Sequence, residues 1–330
     1  MGMIKLPAKA VEKFSSNYLD IFHSGNLAEG DWNNKVIEWA KKYSSASFSL
    51  PVSSNGAGIY AILHILKRYR NYKKVFLQSN TMYGVMTIAN SSGLELCGYV
   101  NCSLETLMPS FEDVKNFVKS LKDPSDSVFL LTHIGGWVNP DIIKIVNLCN
   151  DLGIAVVEDC AHSLGSTLNG KHTGLFGVAG VYSLYATKAI PAGEGGIIVS
   201  NDNELGELVS KFSIYDRFDQ TIDIGVNIRM SELSALLSLS VLECTEEIIE
   251  DKMKIAYKYI SACNMVGVKY FHPESDGQRS NLYKFILISN NNYDFKKIST
   301  RTSSVYDYAL GSDPSKIVDN HICLPIWYKL

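Results

Sequence analysis

Between residues 74 and 157 the chain repeats one unit, a short apolar run followed by a stretch with helical spacing. Lys74 to Gln78 (KVFLQ), Leu94 to Val100, Ser127 to Thr132 (SVFLLT) and Ile154 to Val157 are the apolar runs. Runs this short, and apolar on consecutive residues, are the pattern of strands covered on both faces. The stretches between them suit helices. Tyr83 to Ser92 is compatible with one. Phe111 to Leu121 places Phe111, Val114, Phe117, Val118 and Leu121 on one face. Pro140 to Leu152 carries a proline near its first turn, where a missing N–H leaves nothing unpaired. Strands alternating with helices predict a mostly parallel sheet with helices packed on both sides.

The pattern then changes. Val178 to Tyr185 and Gly196 to Ser200 read as two strands close together, and Met230 to about Ala262 as one long or broken helix. Further strands are expected near Val268 to Phe271 and Leu282 to Ile288. At 330 residues the chain is long enough for one large and one small domain. The expected fold class is α/β. A three-layer α/β/α large domain takes residues 1–245, with a helical segment over 1–45, and a smaller, abbreviated α+β domain takes 246–330.

Charge and cysteine usage narrow the function classes. Lys plus Arg number 31 against 34 Asp plus Glu, a net charge of −3. That balance gives no electrostatic reason to expect nucleic acid or an anionic membrane as partner. The seven cysteines are scattered, without a CxxC pair or zinc-type spacing, so free thiols and no metal site are expected. Met1 to Pro7 lacks the apolar core of a signal peptide, and no apolar run reaches membrane-spanning length. A cytoplasmic location follows as the expectation.

The residues suited to chemistry cluster around the strand ends. Val156-Val157-Glu158-Asp159 puts Asp159 just after a buried strand. Tyr182 to Lys188 leaves another strand and enters the turn Gly193-Glu194-Gly195-Gly196. Ser53 to Gly58 is a small-residue loop opening a helical run, where free amides and the helix dipole favour an anion. Pyridoxal phosphate (PLP) chemistry needs these parts in this order: a phosphate cradle, a carboxylate for the pyridine nitrogen and a lysine for the aldehyde. Lys188 is the expected Schiff-base lysine, Asp159 the pyridinium partner and Ser183 a phosphate ligand. The turn at Gly193 is not GxGxxG and precedes a strand, which disfavours a nicotinamide-dependent reductase.

Glu158-Asp159-Cys160-Ala161-His162-Ser163-Leu164-Gly165, Gly174-Leu175-Phe176-Gly177, Tyr182-Ser183 through Thr187-Lys188, Gly193 to Gly196 and Gly225-Val226-Asn227-Ile228-Arg229-Met230-Ser231-Glu232 together resemble the DegT/StrS family of PLP-dependent nucleotide-sugar aminotransferases. Weaker matches are Ser24 to Leu27, Ser54-Asn55-Gly56, Ser79-Asn80-Thr81 and Thr132 to Gly136. The resemblance implies the aspartate aminotransferase-like fold (fold type I). It also implies that Lys188 shuttles the proton, that Asp159 pairs with the ring nitrogen, and that the Gly56 and Ala57 amides join Ser183 at the phosphate. His162 is placed near the ring or its phenolic oxygen. Asn227 reaches the phosphate of a neighbouring subunit, which makes the site that of a homodimer. Arg229 and Tyr185 are taken as substrate contacts.

Three departures stand out. Ala57 replaces the usual threonine of the phosphate loop, and Met82 occupies the place of the ring-stacking aromatic, with Tyr83 next to it as the other candidate. The chain stops soon after Leu324-Pro325, where family members continue into a last helix. The implied reaction is amino transfer from L-glutamate to a keto sugar carried on a nucleotide. A sugar dehydratase of the same fold, which replaces the lysine with histidine, and a catalytically silent binding or regulatory protein are the alternatives.

Overall fold

The computed structural model describes residues 4–215, 222–288, 309–314 and 316–330. Two helices come first, α1 (Ala8–Ser24) and α2 (Asp31–Ser44), then strand β1 (Phe48–Val52) and helix α3 (Asn55–Arg70). The repeated unit follows as β2 (Lys74–Gln78), α4 (Tyr83–Ser91), β3 (Glu95–Val100), α5 (Phe111–Ser120), β4 (Ser127–Thr132), α6 (Ile142–Asp151) and β5 (Ala155–Cys160). A short hairpin, β6 (Thr167–Leu168) and β7 (Lys171–His172), leads to β8 (Ala179–Ser183), β9 (Gly196–Ser200) and α7 (Asn203–Ile214). Helices α8 (Glu232–Leu242) and α9 (Thr245–Val266) precede β10 (Lys269–Tyr270), β11 (Gln278–Arg279) and β12 (Phe285–Ile288). The last elements described are α10 (Ile317–Asn320) and β13 (His321–Leu324).

Seven strands form one sheet in the order β1-β9-β8-β5-β4-β2-β3. Pairings from β3 across to β8 are parallel, and β9 alone runs against its neighbours. Alternate residues of each central strand serve opposite layers. Val75, Leu77, Val128, Leu130, Val157 and Val181 pack on one side with Ile59, Ile62 and Leu66 of α3. Phe76, Phe129, Leu131 and Val156 pack on the other with Val114 and Val118 of α5 and Ile142 and Ile145 of α6. The expected three-layer α/β/α architecture is therefore present. Its second face continues into a cluster where Tyr182, Ile197 and Val199 meet Val36 and Ala40 of α2 and Leu239 of α8.

Several expectations shift in detail. Strand β1 was not foreseen, because Pro51 and Ser49 weaken its apolar pattern. Proline is tolerated there because β1 is the sheet's edge, the one position where a missing N–H breaks no ladder. The long helix after Met230 is two helices. Ser231 caps the first by accepting from the Ser234 amide, and the chain breaks at Glu243–Cys244. Near the end, β10 keeps only two residues and pairs with β12, which also pairs with β13. None of the seven cysteines is in a disulfide, and six are buried. No helix among the described residues is long and apolar enough to cross a membrane.

Parallel strands bring their carboxyl ends to one edge. Ser53 to Gly56 after β1, Thr81 to Tyr83 after β2, Thr132 and His133 at β4, Asp159 in β5 and Ser183 in β8 all lie there. Because β9 is reversed, its first residue, Gly196, lies there too, paired with Val52 and Ser183.

Candidate active site

Asp159 is 2% exposed and its carboxylate is held from three directions. Oδ1 accepts from Asn55 Nδ2 at 3.1 Å and from the Ala161 amide at 3.0 Å. Oδ2 accepts from Thr132 Oγ1 at 3.3 Å. The Thr132 hydroxyl in turn lies 2.8 Å from Thr81 Oγ1. Asn55 is fixed by a second hydrogen bond, to the Val181 carbonyl at 2.7 Å. These donors orient the carboxylate toward the ligand edge of the sheet and favour its ionised form. Burial pushes Asp159 above the ordinary carboxylate range, while the Ala161 amide, Lys188, Asn55 and Thr132 pull it back.

Lys188 follows β8 by five residues, in a loop tied into a narrow turn. Leu184 N donates to Gly195 O, Ala186 N to Gly193 O and Lys188 N to Tyr185 O, each at 2.9 Å. Gly193 and Gly195 have φ of +90° and +143°, conformations costly for any side chain. Burial lowers Lys188 from the ordinary lysine range to about 8, with the Lys284 charge adding to the effect and Asp159 opposing it. Burial thus drives both members of the pair toward neutrality, and their mutual attraction resists it.

The remaining edge holds an anion cradle. Ser54 caps α3, its Oγ accepting from the Ala57 amide at 3.1 Å. The amides of Asn55 and Gly56, in the first turn, have no acceptor within the helix. Strand β9 passes close by only because Gly196 lacks a side chain. A Cβ there would sit 2.6 Å from the Ser54 carbonyl carbon.

Glu158, one residue before Asp159, has a different task. Its buried carboxylate accepts from the amides of Gly174, Phe176 and Gly177 at 2.7 to 2.8 Å, and from His133 Nε2 at 2.7 Å. His133 Nδ1 accepts from the Asn139 amide, which makes Nε2 the protonated nitrogen. His133, Glu158 and Cys160 bring metal-ligand types together, but their geometry is that of a completed hydrogen-bond network. It locks the turn that leads into β8.

The sequence profile of the DegT/DnrJ/EryC1/StrS aminotransferase family matches residues 9–303. The chain belongs to that family. A GDP-perosamine synthase of Vibrio cholerae is 29% identical over 204 residues, covering 58% of this chain and 52% of the relative. UDP-4-amino-4,6-dideoxy-N-acetyl-beta-L-altrosamine transaminase of Helicobacter pylori is 26% identical over 257 residues, covering 73% of this chain and 64% of that protein. The chain spans about half the length of several curated relatives it matches. Among solved structures, the Helicobacter pylori aminotransferase PseC superposes with a TM-score of 0.85 at 17% identity, over 99% of this chain and 93% of its own. The sugar aminotransferase CalS13 of Micromonospora echinospora gives 0.84 at 19% identity, over 99% and 94%. These likenesses are likenesses of fold.

DegT-family aminotransferases use pyridoxal phosphate, and the residues here fit that group. A buried, oriented carboxylate suits its ring nitrogen, a lysine with a lowered pKa suits its aldehyde, and open helix amides beside Ser183 suit its phosphate. Other residues carried over from the DegT resemblance fall in distinct settings. His162 is buried, with Nδ1 accepting from the Gly135 amide at 3.3 Å. Burial holds it well below the ordinary histidine range, and Lys188 and Lys284 add to this, so the imidazole is neutral. Ser183 Oγ accepts from the Tyr185 amide at 3.3 Å, and the Ala57 amide has its own partner in Ser54. Met82, Tyr83 and Tyr185 are 47%, 55% and 45% exposed. Asn227 is exposed as well, its Oδ1 accepting from the Arg229 amide. Arg229 is engaged within its own chain, Nε lying 2.8 Å from Glu29 Oε1 and one terminal nitrogen donating to Ser213 O at 3.1 Å. Glu232, the last residue of the same DegT motif, caps α2 through the Trp32 and Asn33 amides, both at 2.9 Å.

Sequence reasoning missed Asn55 and Thr132 as holders of Asp159, and it missed Tyr283. The Tyr283 ring lies 4.2 Å from the His162 ring, and the Lys188 ammonium sits 5.2 Å from its centroid. The neighbouring Asn281 fixes this segment by donating to the carbonyls of His162 and Leu164. Residues some 120 positions apart meet here, and no local spacing announces it. The "Ser-Asn-Gly" match did contain Asn55, but as part of the phosphate loop.

Proposed function

We propose that this chain is a PLP-dependent aminotransferase that converts a nucleotide-linked keto sugar to an amino sugar, with L-glutamate as donor. The observation that carries the reading is the Asp159–Lys188 pair at the carboxyl edge of the sheet. The names of several relatives, a GDP-perosamine synthase and an altrosamine transaminase among them, support a nucleotide sugar as acceptor. When bound, the cofactor supplies an electrophilic carbon for the amine and a pyridinium ring that withdraws electrons from the carbon losing its proton.

In this reading the protein does four things. Asp159, held by Asn55, Thr132 and the Ala161 amide, keeps the ring nitrogen protonated. Lys188 Nζ holds the cofactor between turnovers and carries a proton during them, which suits a lysine lowered to about 8. The amides of Asn55 and Gly56 and the Ser183 hydroxyl bind phosphate. His162, neutral and packed against the tilted Tyr283 ring, borders the cofactor ring. Residues 1–245 form the cofactor domain and 246–330 the smaller one. The exposure of Met82, Tyr83, Tyr185 and Asn227 supports a homodimer in which Asn227 serves the partner's phosphate and Met82 or Tyr83 covers the ring. Arg229, held by Glu29, positions the Asn227 loop beside the substrate. The protein works in the cytoplasm.

The test is amino transfer itself. Purified protein with PLP should show a visible band that L-glutamate discharges and a nucleotide-linked 4-keto sugar restores. A band that glutamate leaves untouched would contradict the proposal.

A further inference from the structure

Among the described residues, Asp159 is the one acid that acts on Lys188, and Lys284 is a second lysine within electrostatic reach of it, with Lys252 within reach of Lys284. Lys188 and Lys284 both face the Tyr283 ring, their ammonium nitrogens 5.2 and 5.0 Å from its centroid. Lys284 is anchored by its backbone, its amide donating to Gly135 O at 3.0 Å. Its Nζ has no hydrogen-bond or carboxylate partner among the described residues. Lys252 lies on the inner face of α9, 3% exposed, and its Nζ is also unpartnered among them. The positive charge of Lys284 acts on Lys188, His162 and Lys252 alike. Asp159 is the acid that acts on Lys188, and three donors already hold it. Lys252 is buried and Lys284 half-buried, and charge in such a setting is costly without a counter-charge, so the pair calls for an anion from outside.

We infer that Lys284, backed by Lys252, binds the carboxylates of a dicarboxylic amino donor. The inference rests on the proposed aminotransferase reading. Position decides among anions. The cofactor phosphate has its own cradle at α3 and Ser183. A nucleotide's phosphates are separated from the reacting carbon of a sugar by the sugar ring. A donor's carboxylates are only a few bonds from the nitrogen that Lys188 must exchange, and Lys284 shares one aromatic ring with Lys188. Two lysines with no carboxylate partner among the described residues match two carboxylates. Burial, with the Lys284 charge beside it, lowers Lys252 to about 7, so a bound dicarboxylate would recharge it and take up a proton.

Glutarate, which has both carboxylates and no amine to transfer, is the probe. Its affinity for the protein, with PLP added and without it, is measured by calorimetry at pH 8 in two buffers of different ionisation enthalpy. Lys284→Met should weaken glutarate about ten- to hundredfold, the loss expected for one hydrogen bond to a charged group. Lys284→Arg should stay close to the native value, which separates charge from fold. Proton uptake on binding should disappear in Lys252→Met. Binding of a nucleoside diphosphate should be unchanged by Lys284→Met. Glutarate affinity indifferent to Lys284, or loss of nucleoside diphosphate binding in its place, would overturn the inference. A native chain that never acquires a cofactor band would sink the proposed function. Glutarate binding, followed by heat, is read independently of that band.

Discussion

The two walls of the site differ in how much of themselves one chain supplies. Around Asp159 every partner comes from the same chain. Asn55, Thr132 and the Ala161 amide reach the carboxylate, and Asn281 ties Tyr283 to the segment that bears His162. Across the site, Met82, Tyr83, Tyr185 and Asn227 stand open to solvent. The closed wall is preorganised at folding, with its desolvation already met by hydrogen bonds. The open wall presents half-exposed side chains to solvent, the state expected of residues that a second subunit or a ligand completes. In the proposed reading, the electrostatics of the ring nitrogen belong to the fold and the cover of the ring to assembly.

Substitutions on the closed wall should give the largest effects. Asp159→Asn removes a preorganised charge and should lower turnover about a hundred- to a thousandfold, with the protein still folded, as steady-state rates and circular dichroism would show. Asn55→Ala deletes one hydrogen bond to a charged group, worth about 1.5–3 kcal/mol, and should cost about ten- to a hundredfold in turnover. Equal rates for Asn55→Ala and the native chain would mean that the wall is not built as described.

Titration sharpens the same contrast. Lys188 reacts with an aldehyde only when unprotonated, and its pKa is lowered from 10.5 to about 8. Capture of PLP by the cofactor-free chain should therefore quicken with pH and reach half its limiting rate near pH 8. Asp159 is the group holding that pKa up, so Asp159→Asn should move the midpoint lower. Linkage carries the same sign. A lysine whose folded pKa is below its unfolded value destabilises the fold below about pH 8, and that cost fades as pH rises toward 10.5. On the open wall the effects should be smallest. Met82→Ala should change the stability of the chain by no more than about 0.5 kcal/mol, because the side chain is half exposed. Its effect should appear in cofactor retention and in the dissociation constant of the proposed dimer. A large fall in melting temperature would show that Met82 packs within its own subunit.

The sequence made the parallel core legible because burial on both faces writes continuous apolar runs, as in KVFLQ and SVFLLT. It hid β1, where Pro51 interrupts the pattern at an edge that tolerates it. Asp159, Lys188 and the Gly193 turn could be read because each lies next to a strand end and within 30 residues of the next. Asn55 was visible as a letter but not as a ligand of Asp159, 104 positions away. Tyr283, Lys284 and Lys252 were illegible for the same reason. Their meaning depends on which residues the β12 and α9 segments meet in space. Glu158 and Glu232 stand in motifs that looked functional, yet both cap backbone amides.

The account turns on Lys188 as the residue that holds the cofactor. Borohydride reduction of the PLP-loaded protein, followed by peptide mapping by mass spectrometry, tests this directly. The pyridoxyl mass should appear on the peptide containing Lys188 and vanish in Lys188→Ala. Label on Lys284 or Lys252 instead, or none at all, would contradict it.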